Sequence, residues 1–241
     1  MRLWQAGFIE RTQLPPLTRG GAPLVFRLSR HGRARLGYRP LKRAEAGMQL
    51  RHDLHVLDAV CALARPDAGE RHRYPLAAWC TPAMSGRFIE GVIPDALLAL
   101  RLETGVAVLA LEVDEGTEHA PVIRAKLACY AKALDGRDGW HVLFIVGEPQ
   151  RAGWIRRLGR AGDELGDVAG QAWVTSIDEL RERGTRARIA PLRGAAPRRL
   201  GDLMWHAGRR HGLSPVASEA WLRLMGSGAG EDLREVFGSG T

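Results

Sequence analysis

IPDALLALRLETGVAVLALEVDEGTEHAPVIRAKLACY, residues 93–130, is the stretch that decides the fold. Gly91–Leu102 and Val106–Val113 are apolar, strand-like runs separated by a turn at Gly105. Asp95 stands at the start of the first run and Glu112 at the end of the second. An antiparallel hairpin therefore sets Asp95 nearly opposite Glu112. Asp114, two residues beyond Glu112, falls on the same side of the strand. A helix starting near Pro121 then offers Lys126 and Tyr130, one turn apart, beside a core stripe of Ile123, Leu127, Tyr130, Ala131 and Leu134. Acids gathered at adjacent strand ends, next to a lysine-bearing helix, are the groups a divalent-metal site for phosphodiester chemistry needs. Acids buried there without compensation are costly, so a cation or an arginine is expected among them. The plainer alternative has Asp95, Glu112, Asp114 and Glu118 capping turns and pairing with Arg124 or Arg101.

Working outward, the spacing of Leu50, Leu54, Leu57, Cys61 and Ala64 predicts an amphipathic helix that stops before Pro66. His52 and His55 in its first turns read as a polar shoulder of the helix, with metal ligation at i, i+3 as the lesser alternative. Tyr74–Cys80 reads as an edge strand because of Pro75. His141–Val146 is continuously apolar and reads as a buried strand. A basic helix over Gln150–Ala161 buries Trp154, Ile155 and Leu158, and a last strand covers Ala172–Ile177. Ser176 caps the next helix, with Glu179 in the capping-box position. The resulting order, α, β, β, β, α, β and then α and β again, predicts an α/β (α+β) fold.

Before this core, residues 1–40 read as a helix end capped by Gly7, a basic β-hairpin and a short helix, the back half of a winged helix. Its wing carries Arg11, Arg19 and Arg27 as candidate DNA-backbone contacts; an ordinary hairpin with solvated arginines fits as well. Residues 48–183 form the predicted core. From Gly184 the chain reads as a basic, loop-like connection to a helical tail, with Arg186, Arg188, Arg198 and Arg199 as further nucleic-acid contacts. A solvated linker explains the same composition. The final residues, GSGAGEDLREVFGSGT, are expected to fray.

The totals bound the function. The 241 residues suffice for a substantial core, and the net charge of +8 is mostly arginine, which favours a phosphate-bearing partner. No apolar run approaches a membrane span, and the N-terminus has no charged segment followed by an apolar stretch, so a cytoplasmic location is expected. Cys61, Cys80 and Cys129 sit singly in apolar segments and are expected to be buried free thiols; no spacing suggests zinc.

Pro94-Asp95 on one strand and Glu112-Val113-Asp114 on the next resemble the PD-(D/E)xK nuclease superfamily. The resemblance implies a restriction-endonuclease-like αβββαβ core in which Asp95 and Glu112, with Asp114, bind Mg²⁺ (or Mn²⁺). The lysine usual two residues after the acid is replaced by Asp114, and Lys126 from the helix is its substitute. Lys126 with Tyr130 is similar to the QxxxY helix motif of RecB-like members, with lysine in the glutamine place. LRHDLHVLDAV, IPDALLAL, LEVDEGTE and KLACY together are similar to the plasmid replication-relaxation family over roughly residues 1–147. That resemblance implies a DNA-binding protein acting in plasmid replication or relaxation, either as a Mg-dependent endonuclease or nickase or as an inactive DNA-binding adaptor. Its implied protein partners are a second copy of the chain or plasmid replication and transfer proteins.

Overall fold

The computed structural model describes residues 6–13, 24–35, 48–65, 76–85, 88–102, 105–137, 139–194 and 196–202. The chain divides into two compact units, Met1–Asp53 and Leu54–Thr241.

In the first unit, β1 (Ile9–Gln13) and β2 (Leu24–Leu28) form an antiparallel hairpin, followed by α1 (Arg30–Arg35). Ser29 caps α1: its Oγ accepts from the Gly32 amide at 2.9 Å and donates to the Gly7 carbonyl. Gly32 is required because a Cβ there would lie 2.2 Å from the Phe8 carbonyl oxygen. Hairpin and short helix thus occur as expected. Arg11 and Arg27 lie on β1 and β2; Arg19 and residues 1–5 of the expected helix end lie outside the described residues.

α2 (Met48–Ala64) spans the boundary between the units. Beyond it come β3 (Leu76–Cys80), α3 (Pro82–Ser85), β4 (Ala96–Leu102), β5 (Gly105–Asp114), α4 (Ala120–Leu134), β6 (Trp140–Val146) and α5 (Pro149–Ala161). β7 (Ala172–Ser176), α6 (Ile177–Arg183), β8 (Arg188–Pro191) and β9 (Arg198–Arg199) complete the described part. The seven strands form one mixed sheet in the order β3-β4-β5-β6-β7-β8-β9. β5, β6 and β7 run parallel, and the pairs outside them are antiparallel. α4 and α5 are crossover connections that return the chain to the same end of the sheet, so β5, β6 and β7 pair in parallel.

Alternation along the strands sorts two cores onto opposite faces. Leu97, Ala99, Val108, Ala110, Val142 and Phe144 pack with Ile123 and Leu127 of α4 and Ile155 of α5. Leu98, Leu100, Leu109, Leu111, Leu143 and Ile145 pack with Val56, Val60 and Leu63 of α2 and Leu180 of α6. With both faces covered, the central strands can be buried at every position, as β6 is.

Three expectations are corrected. α2 buries Val56, Ala59, Val60 and Leu63, whereas Leu57 and Cys61 are exposed; the buried stripe is rotated from the one the leucine spacing marks, because the face of the helix turned to the core of the sheet is set by tertiary packing. Of the cysteines only Cys80 is buried, and the three are free thiols. The stretch from Gly184 is not a loop up to Arg199: β8 and β9 extend the sheet, with Ile189, Leu192 and Leu200 buried. The tail containing Met204, Trp205 and Trp221, and the chain's end, lie outside the described residues.

Candidate functional site

The hairpin register decides where the acids stand. Ala96 pairs with Leu111, and the Asp95 amide donates to the Leu111 carbonyl at 2.9 Å. Asp95 is thereby set opposite Glu112, as the spacing predicted. Asp95, Glu112 and Asp114 continue the alternation of Leu97, Val108 and Ala110, so all three belong to the face covered by α4 and α5. The Asp95 carboxylate turns back to accept from the Val113 amide at 2.7 Å, which pins the mouth of the hairpin.

Glu112 is 2% exposed, and both its oxygens are occupied. Lys126 Nζ lies 2.8 Å from Oε2, and the Tyr130 hydroxyl donates to Oε1 at 2.6 Å. These two partners come from one face of α4 because residues four apart overlie one another on a helix. Lys126 also reaches Glu118 at 2.7 Å, so one ammonium serves two carboxylates. Burial pushes Glu112 up to about 7 against the pull of Lys126, and the neighbouring Asp95 adds to the rise. Burial opposes the charge of Lys126, but Glu112 and Glu118 outweigh it and hold the ammonium above its ordinary range. Tyr130 is fully buried; burial and then the Glu112 charge push its phenol well above 10. Lys126 and Glu118 reach solvent, whereas Glu112 and Tyr130 do not.

Asp114 belongs to a second pairing. Arg151 on α5 donates to Asp114 Oδ2 at 2.6 Å, and the Gly116 amide donates to Oδ1 at 2.8 Å. The Arg151 guanidinium also stacks 3.9 Å over the Trp154 ring, which holds it over the strand end. The expected arginine is thus present, but it is Arg151. Arg124 instead faces Glu164 at 3.7 Å. Arg151 was visible in sequence only as one charge of a basic helix. On the other face His55 contacts Glu115 through Nδ1. Among the described residues, no three of His, Cys, Asp and Glu are grouped so as to hold a metal ion.

Of the predicted nucleic-acid contacts, Arg186 is exposed in a short helical turn over Gly184–Arg186, and Arg188, Arg198 and Arg199 are exposed on β8 and β9. No helix among the described residues is long and apolar enough to cross a membrane.

Fold and site together define a mixed α/β protein with a lysine- and arginine-matched acid cluster at the end of its central hairpin. The model of the replication-relaxation family matches residues 1–141, and the chain belongs to that family. Membership associates it with plasmid replication and relaxation. No curated protein and no solved structure is found to match the chain.

Proposed function

We propose that this protein acts on plasmid DNA in the cytoplasm as a metal-dependent nuclease or nickase, with a restriction-endonuclease-like core and a partial winged helix at its N-terminus. The observation that carries the reading is the arrival of Lys126 from α4 at Glu112, with Asp95 across the hairpin. This is a lysine beside two facing carboxylates, supplied from the helix in place of the strand position that Asp114 holds.

Asp95 and Glu112 are the residues that would hold Mg²⁺ or Mn²⁺. The fit rests on their mutual repulsion: Asp95 raises the cost of charge on Glu112, so the pair gains from a shared cation. Such a cation, when bound, polarises a phosphodiester and its attacking water. Asp114 is matched to Arg151 and in this reading holds α5 against the strand end rather than supplying a ligand. Lys126 stays protonated through the neutral range, so its Nζ meets a phosphate as a cation and does not take a proton. Tyr130 positions Glu112 Oε1 from within the core. Arg11, Arg19 and Arg27 of the N-terminal hairpin supply backbone contacts to the DNA.

Supercoiled plasmid incubated with the protein and Mg²⁺ or Mn²⁺ should convert to open circles, and the Asp95→Ala/Glu112→Ala variant should not convert it. Equal conversion by both proteins, or none by either, refutes the catalytic reading.

One observation favours a second reading. Both oxygens of Glu112 and both of Asp114 already have partners, so the cluster is balanced as it stands. A DNA-binding adaptor that keeps this arrangement for stability retains DNA without cutting it, and shows no rise in melting temperature with divalent metal.

A further inference from the structure

The basic stretch after Gly184 folds into the edge of the sheet, and this changes what it can do. Arg188 lies directly opposite Arg199, and Ile189 opposite Arg198. Ile189 and Leu200 are buried and anchor the edge, whereas the three arginines are exposed. Like charges facing each other across a strand pair destabilise it. None of the three forms an ion pair among the described residues. Glu179 accepts from the Arg188 amide and faces Arg183, and Asp163 faces Arg193.

Arg188 alternates with Ala190 and Leu192, so Arg188 and Arg199 stand on the face where α5 packs. α5 lies tightly there. Arg156 Nε donates to the Pro191 carbonyl at 3.3 Å, and a Cβ on Gly159 would sit 2.9 Å from Leu192 Cβ. Arg157 and Arg160 of this helix are exposed and likewise have no ion pair among the described residues. Four unmatched guanidinium groups, those of Arg188, Arg199, Arg157 and Arg160, therefore belong to this side of the sheet, and Arg198, opposite Ile189, projects from the other side of the same edge strand.

We propose that Arg188, Arg198 and Arg199, with Arg157 and Arg160 of α5, form a backbone-contact surface for duplex DNA; the inference rests on the DNA-acting reading above. Fork-shaped guanidinium groups fit phosphates, and an anionic partner removes the like-charge cost of the Arg188–Arg199 pair. Duplex is favoured over single strands because, among the described residues of this unit, no large aromatic is exposed on which bases would stack.

The test uses the full chain and a mixed-sequence duplex in EDTA, so that binding is read whether or not the protein cuts DNA. Affinity is followed by fluorescence anisotropy from 50 to 200 mM salt. Loss of three phosphate contacts in Arg188→Gln/Arg198→Gln/Arg199→Gln should flatten the log–log salt slope by about 2.7, so that over this range the variant loses roughly 40-fold less affinity than the wild type. Arg157→Gln/Arg160→Gln, on the helix, should flatten it by about 1.8 and decides the matter if the strand variant fails to fold. An unchanged slope in a folded variant, or tighter binding of a single-stranded oligonucleotide than of the duplex, overturns this surface alone. Absence of duplex binding by the wild type overturns it together with the DNA-acting reading. Self-association of the variant at unchanged affinity also overturns it, since the arginines then serve only to guard a sheet edge.

Discussion

Replacing Glu112 by Gln tests the energetics of the buried cluster. Gln keeps the shape, its amide oxygen accepts from Lys126 and its NH2 donates to the Tyr130 hydroxyl oxygen, but it cannot ionise. In the folded wild type, burial raises Glu112 from its usual 4.5 to about 7. An acid with a raised folded-state pKa binds its proton more tightly when folded. Its stabilising contribution is therefore complete below about 4.5 and is lost as pH rises through 7. Two and a half pKa units correspond to about 3 kcal/mol as an upper figure, of which about 2.5 kcal/mol falls between pH 8 and pH 5. Urea unfolding of wild type and Glu112→Gln at pH 5, 6, 7 and 8, in EDTA, gives the difference directly. The wild type should gain about 2.5 kcal/mol on the variant as pH falls from 8 to 5. A flat difference, or a wild type that gains on the variant as pH rises, refutes the reasoning: it would mean that the Lys126 ion pair, and not burial, sets the charge of Glu112.

Two other substitutions probe the packing. His141 is buried on β6 with neither ring nitrogen hydrogen-bonded, and burial lowers it from 6.5 to about 4. A depressed histidine costs the folded state stability as pH falls below 6.5, so His141→Leu should gain about 2 kcal/mol on the wild type between pH 8 and pH 5 in the same urea series; no gain would show that the ring has a partner. This loss nearly offsets the Glu112 gain over the same range, which is why each group is read by difference and not from the wild-type profile. At Gly159, alanine brings better helix propensity, about 1 kcal/mol, but its Cβ meets Leu192 at 2.9 Å, an overpacking cost of about 1–3 kcal/mol. Gly159→Ala should lower the melting temperature by a few degrees, and a rise would show that α5 can move off the sheet.

Much of the site was legible in sequence because its geometry is local. Asp95 and Glu112 are joined by a tight hairpin, so strand alternation and turn position together set them opposite each other. Lys126 and Tyr130 are one helical turn apart, and their common orientation toward Glu112 follows from that spacing. The partner of Asp114 was not legible. Arg151 comes from 37 residues further along, and its approach depends on how α5 crosses the sheet. The same holds for α2, whose buried face is the one that joins the core cluster through Val56, Ala59, Val60 and Leu63 and not the one its leucine spacing marks.

By itself, then, the amino-acid sequence determined the order of the main elements from α2 to α6, the hairpin that aligns the acids and the helix that delivers Lys126, because each depends on periodicity within a few residues. Only the tertiary structure decided that Arg151 neutralises Asp114 and that a basic, Pro- and Gly-containing stretch becomes the edge of the sheet. In the latter case Ile189 and Leu200 are buried only because β7 and the helices already offer them a surface, a condition that no local pattern of residues expresses.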